Sequence, residues 1–170
     1  MHETPRWPTV IGTIGIVVGV LLILDNVDDL LLLEWTEADW RRLVGPYIAD
    51  MVVRAMPSVG WRLATAAVEI GLGTVLVVGS VGVRRREARG VTLCRVWAWL
   101  AIVWVLVGAG RGAFWLQRHG ADLPAMATSG PVVFALLLSV VLLLAFPVFL
   151  LAWFSSATVR HEIETWGATG

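Results

Sequence analysis

The sequence predicts an all-α, polytopic membrane protein: a bundle of four transmembrane helices with short amphipathic helices at its interfaces. Of its 170 residues, 58% are hydrophobic and 15% are charged, which is more apolar surface than one soluble core of this size can bury. Four apolar runs approach the roughly 20 residues that cross a hydrocarbon layer. We therefore expect a single membrane domain over residues 1–170.

The first span is expected at about residues 9–28, where an apolar run leads into the acidic segment 25–29. No small-residue cleavage pattern follows this run, so we expect the helix to be retained. It carries Gly12, Gly15 and Gly19, whose spacing would let another helix approach closely. The alternative interpretation is that glycine is common in membrane helices and marks no particular face.

Residues 34–57 are too polar to span and are expected to form an extracytoplasmic amphipathic segment. Thr36 and Asp39 belong to a capping-box-like sequence ahead of one short helix, and Gly45-Pro46 is expected to start a second. In the residues that follow, apolar side chains recur at helical spacing on one face, and charged side chains lie on the opposite face. Two short helices lying on the membrane surface are expected here.

The remaining spans are expected at about residues 61–83, 96–116 and 131–153. The second of the four spans leaves into the strongly basic turn at residues 84–89, RRREAR. Cytoplasmic loops collect arginine and lysine, so this turn is predicted to lie inside. Four spans then place the N- and C-termini in the cytoplasm as well.

The last span has no charge, and a short amphipathic tail follows it. Over residues 156–167, Val159, Ile163 and Trp166 share one helical face, so we expect this tail to lie along the cytoplasmic surface. The segment PVFLLAWF at 147–154, with VRHE following, resembles the close of small, uncharacterised four-span bacterial proteins. The resemblance implies a bacterial inner-membrane protein and implies no function.

Two charged residues fall inside the apolar spans. Glu69 is seven residues inward from Arg62, and Arg111 is seven residues back from Arg118, which puts both roughly 10 Å below the same interface at 1.5 Å per residue. A lone charge in hydrocarbon costs at least about 2.5 kcal/mol, so such residues usually pair. We predict a Glu69–Arg111 ion pair.

The expected outer-leaflet polar cluster includes Arg62 and Asp25 as further members. Glu69 shares its face with Gly73, and Arg111 shares its face with Gly108, small positions that favour an inward orientation. One interpretation is an interhelical staple that fixes helix register. The other is a proton or ion relay, or a polar pocket open to the outside.

No catalytic or metal site is predicted. A single cysteine, Cys94, excludes an intramolecular disulfide and any CxxC site, and the three histidines lie far apart and outside the apolar runs. The sequence contains neither GxSxG nor HExxH. We expect no enzyme activity, no cofactor and no nucleic-acid binding.

The predicted role is that of a non-catalytic accessory or scaffolding subunit, with the lipid bilayer and other membrane proteins or further copies of the chain as partners. The glycines expected at helix contacts are Gly12, Gly15, Gly19, Gly73 and Gly108. The alternative is a small transporter or channel that uses the polar cluster around Glu69 and Arg111.

Overall fold

The computed structural model describes residues 6–31, 37–46, 58–119 and 130–167, which form six helices and, within these ranges, no strand. The helices are α1 Trp7–Leu31, α2 Glu37–Val44, α3 Val59–Arg84, α4 Ala88–His119, α5 Gly130–Ser155 and α6 Ala157–Gly167. Four of them, α1, α3, α4 and α5, are long and apolar enough to cross a membrane. The predicted all-α fold with four membrane-spanning helices is confirmed.

The largest difference from the expected spans is at the start of α4. This helix begins at Ala88, whereas the apolar pattern placed its start near residue 96. The turn that precedes it contains only residues 85–87, so the helix includes Arg89 and Arg95 before its apolar stretch begins. A hydropathy pattern identifies the part of a helix that lies in hydrocarbon. It does not identify the charged residues that extend the same helix beyond the hydrocarbon.

The predicted amphipathic segment is described only in part. Helix α2, Glu37–Val44, is followed by Gly45, whose φ of 83° is the left-handed conformation that glycine adopts without a steric penalty. The second short helix, expected after Gly45-Pro46, falls mostly on residues 47–57, which lie outside the described residues, as do residues 34–36.

The chain divides into two compact units, residues 14–77 and residues 1–13 with 78–170. In the first unit, α1 and α3 are in backbone contact. A Cβ on Gly19 would lie 2.8 Å from the carbonyl oxygen of Gly73, and a Cβ on Gly73 would lie 2.9 Å from that of Gly19. Because Gly19 also meets Val77 while Gly73 meets Ile23, the two helices run antiparallel here.

In the second unit, α3 and α4 form a tight helical hairpin. Helix α3 closes with a Schellman motif, in which the amide of Glu87 donates to the carbonyl of Gly82 at 2.9 Å and that of Arg86 to Val83 at 3.0 Å. The motif requires a left-handed residue, and that residue is Arg86, with φ 60°. Glycine is the usual occupant of this position because it has no Cβ to clash.

Replacing Arg86 with glycine is therefore expected to stabilise the hairpin. An L-residue in the left-handed region costs roughly 1–2 kcal/mol, and about 1 kcal/mol of this is expected to be recovered as free energy of unfolding of the detergent-solubilised protein. Arg85→Gly is the matched control, because it removes the same charge without relieving a positive φ, and it should be neutral or destabilising. Equal effects of the two variants would contradict the prediction.

Directly after the turn, α3 and α4 cross in backbone contact. A Cβ on Gly90 would lie 2.5 Å from the carbonyl carbon of Gly82 and the amide nitrogen of Val83, and 2.7 Å from the carbonyl oxygen of Gly79. One turn further along, a Cβ on Gly79 would come within 3.0 Å of Cys94 Sγ. The hairpin therefore depends on glycine from both helices.

Helix α5 packs on α4 in the same unit. The rings of Trp97 and Phe146 are 5.8 Å apart between centroids, and Leu150 and Phe154 are fully buried. The helix continues through Pro147 to Ser155, and only Ser156 separates it from α6. Because this connection is so short, α6 packs against the end of the bundle at which α5 stops.

Candidate functional site

The residues of the predicted outer polar cluster are distributed over both units. Glu69 and Arg62 are half-buried on α3, and Asp25 is exposed on α1; all three belong to the unit of residues 14–77. Arg111 is exposed on α4 in the other unit. The Glu69–Arg111 ion pair therefore stays a prediction.

A buried polar side chain that the sequence analysis did not single out lies beside Asp25. Asn26 is 4% exposed, and its amide nitrogen donates to the carbonyl oxygen of Leu22 at 2.8 Å. This bond lies within α1, so the helix itself satisfies part of the hydrogen-bonding capacity of the side chain.

The predicted packing glycines differ in their surroundings. A Cβ on Gly12 would lie 2.7 Å from the carbonyl oxygen of Ser80 and would also meet Arg84, so the start of α1 touches the end of α3. Gly15 is buried, and Gly19 and Gly73 make the contact described above. Among the described residues, no atom other than the adjacent backbone of α4 itself lies within 4 Å of a Cβ placed on Gly108.

A group of four packed aromatic side chains joins α1, α5 and α6. The ring of Trp7 stacks on that of Trp166, with centroids 5.4 Å apart and planes at 22°. It meets Trp153 and Phe154 edge-on, each at 6.3 Å. With Glu162, these four residues form what we call the terminal cluster.

Glu162 is the acid of the terminal cluster. Its Oε2 accepts a hydrogen bond of 2.5 Å from the indole Nε1 of Trp7, which ties the start of α1 to the middle of α6. Its Oε1 is buried and has no hydrogen-bond partner among the described residues, and the same holds for the indole nitrogen of Trp153. Among the described residues, Glu162 Oε1 is therefore a buried acceptor without a donor, and Trp153 Nε1 is a buried donor without an acceptor.

Two arginines bind the last carbonyl groups of α5. A terminal nitrogen of the Arg95 guanidinium donates to the carbonyl oxygen of Phe154, and Arg160 Nε donates to that of Ser155 at 3.1 Å. The final carbonyls of a helix have no partner within it and carry its partial negative charge. Cationic side chains here fix the point at which α5 ends and α6 begins.

Loss of the Arg95 contact is expected to destabilise the protein. Arg95→Met keeps much of the side-chain length but leaves the carbonyl of the fully buried Phe154 without this donor, at a cost of about 1–3 kcal/mol in free energy of unfolding. Arg89→Met, at an exposed position on the same helix, is the control and should cost less than about 0.5 kcal/mol. Similar losses in both variants would show that the capping bond contributes nothing.

No three His, Cys, Asp or Glu side chains in the described part of the chain are grouped as metal ligands would be. Cys94 is buried, with its sulfur 3.9 Å from the hydroxyl of Ser80. The terminal cluster combines aromatic faces, a carboxylate and neighbouring guanidinium groups, a combination that suits an amphiphilic or zwitterionic ligand.

The α6 face of the terminal cluster could be predicted from the sequence, whereas its contact with Trp7 could not. The shared face of Val159, Ile163 and Trp166 was recognised, and the structure places Val159 in the core and Trp166 on Trp7. The contact with Trp7 was missed because about 155 residues separate the two partners of the Trp7–Glu162 bond. Helical periodicity shows that a face is apolar, and it does not show what covers that face.

The chain matches no protein-family model, no curated protein and no solved structure.

Proposed function

We propose that the protein is a non-catalytic accessory or scaffolding subunit of a bacterial inner-membrane assembly, and that it binds other membrane proteins, or further copies of itself, through α5. Four helices of the chain are long and apolar enough to cross a membrane. The observation that carries the proposal is the surface that α5 leaves uncovered.

Helix α5 is the least covered of the four long helices. Only 12% of its most apolar window is buried, against 28% for α1, 39% for α3 and 33% for α4. The exposed side chains are large and apolar; they include Phe134, Leu137, Val141 and Leu142, each more than 60% exposed. A membrane helix with so little cover from its own bundle presents its surface either to lipid or to helices of a partner.

The proposed orientation places the basic end of the bundle in the cytoplasm. We define the basic end as the start of α1, the α3–α4 turn, the end of α5 and α6. The contacts of Gly12 with Arg84 and of Trp7 with Trp166 bring these elements together. Since cytoplasmic loops are enriched in arginine, the arginine-rich turn at residues 84–89 supports a cytoplasmic location for the basic end. Reporter fusions at the two termini would test it.

Site-specific photo-crosslinking in native membranes would test the accessory role. A photoreactive side chain at Leu142, which is 64% exposed on α5, is expected to give discrete protein adducts, whereas one at Val10, 53% exposed on α1, should label mainly lipid. Lipid adducts alone from Leu142 would contradict the proposal. A solute flux that depends on Glu69 would contradict it as well and would favour transport.

A further inference from the structure

The terminal cluster contains a buried carboxylate oxygen whose role the accessory function does not explain. Glu162 Oε2 accepts from Trp7, while Oε1 is buried without a hydrogen-bond partner among the described residues. Leaving such an oxygen without a donor is costly, more so because the group is charged. A cation or a hydrogen-bond donor brought by a ligand would remove this cost.

The aromatic walls of the cluster favour a cation as that ligand group. Indole rings attract ammonium and guanidinium groups over their faces more strongly than the rings of tyrosine and phenylalanine do. Trp7, Trp153 and Trp166 are each half-buried residues, so the cluster lies at the edge of the packed core and not in its centre. The carboxylate of Glu162 among three indoles is a combination that binds ammonium groups.

The same cluster also offers a site to an anionic group. Trp153 Nε1 is a buried donor without an acceptor among the described residues, and indole nitrogen can only donate. The described residues of the basic end, together with Arg95, which donates to the carbonyl of Phe154, carry more positive than negative charge. They are Arg6, Arg84, Arg85, Arg86, Arg89, Arg95 and Arg160, against Glu87, Glu162 and Glu164.

The position of the cluster indicates where such a ligand would come from. The first candidate span begins at Trp7 and the last one ends at Ser155, so the cluster lies where spans meet the lipid headgroups. A purely anionic headgroup would suit the arginines but would be repelled by Glu162. A headgroup with both an ammonium and a phosphodiester group matches both features.

We propose that the terminal cluster is a binding site for a zwitterionic phospholipid with a primary ammonium headgroup, of the phosphatidylethanolamine class. The ammonium pairs with Glu162 against the indole faces, and the phosphodiester accepts from Trp153 Nε1 and the surrounding arginines. This site is separate from the α5 surface, so it stands whether or not the accessory role is correct.

Lipid titration of the full-length, detergent-solubilised protein would test the site. Binding of phosphatidylethanolamine and of phosphatidylglycerol with the same acyl chains is measured for the wild type, Glu162→Gln and Glu164→Gln. Glu164 is 76% exposed, with an oxygen 3.8 Å from His161, and serves as the matched control. We expect Glu162→Gln to bind phosphatidylethanolamine about tenfold more weakly and phosphatidylglycerol unchanged, with no loss in Glu164→Gln.

An unchanged affinity of Glu162→Gln for phosphatidylethanolamine would overturn the proposal. If Glu162→Gln fails to fold, the measurements on the wild type alone test the proposal. Equal affinities of the wild type for phosphatidylethanolamine and phosphatidylglycerol would also overturn the proposal. Soluble phosphoethanolamine is the third arm. Binding as tight as that of the lipid would show that a small molecule, and not a membrane lipid, is the ligand.

Discussion

Gly90→Ala is expected to be among the most destabilising single-methyl substitutions in this protein. The added Cβ would lie 2.5 Å from backbone atoms of Gly82 and Val83, and backbone atoms cannot move aside as a flexible side chain can. Overpacking of this kind costs about 1–3 kcal/mol and occasionally more, and we expect a loss near the top of that range. Chemical unfolding of the detergent-solubilised protein would measure it.

The control for this prediction is an alanine substitution at an open glycine of the same helix. Apart from the adjacent backbone of α4 itself, no described atom lies within 4 Å of a Cβ on Gly108 or Gly110, so Gly108→Ala and Gly110→Ala add a methyl group without a clash. Alanine is the better helix former by about 1 kcal/mol, and these variants should be neutral or slightly stabilising. A loss in Gly110→Ala as large as that in Gly90→Ala would show that the crossing does not limit stability.

The α3–α4 hairpin illustrates which structural features can be predicted from the sequence and which cannot. Apolar length located the helices, because a membrane span needs about 20 suitable residues and no partner to be recognised. The arginine-rich turn was interpreted as a topology signal. Its structural role, a Schellman motif with Arg86 left-handed, leaves no sequence signature, because the residue usually found there is glycine.

Contacts between helices were harder to predict than the helices themselves. Gly19 and Gly73 were both singled out as packing positions, and the structure places them against each other. Gly90, which makes the closest approach of the hairpin, was not singled out, since its importance follows from the crossing point of two helices and not from a repeat within one. Small residues mark positions where contact is possible, and only the register of the helices decides which are used.

The contacts of the terminal cluster join residues far apart in the sequence, and they were likewise not predicted. Substitution of Trp7 is the strongest test of the cluster's contribution to stability. Trp7→Ala would remove the stack on Trp166, the edge contacts with Trp153 and Phe154, and the donor to Glu162 Oε2. Truncation of a packed tryptophan costs about 3–5 kcal/mol, and we expect about 3 kcal/mol for this half-buried ring. The measurement is again the free energy of unfolding in detergent.

Two further variants separate the ring from its hydrogen bond and from hydrophobicity in general. Trp7→Phe keeps an aromatic ring but has no indole nitrogen, so it should lose only about 1–2 kcal/mol, the cost of leaving Glu162 Oε2 without this donor. Trp99→Ala removes a tryptophan that is 62% exposed on α4 and should cost less than either. Because Trp7 joins α1 to α6, its truncation should also release α6, seen as faster proteolysis at Arg160. Equal stability and equal cleavage rates for Trp7→Ala and Trp99→Ala would mean that the cluster does not hold the two ends of the chain together.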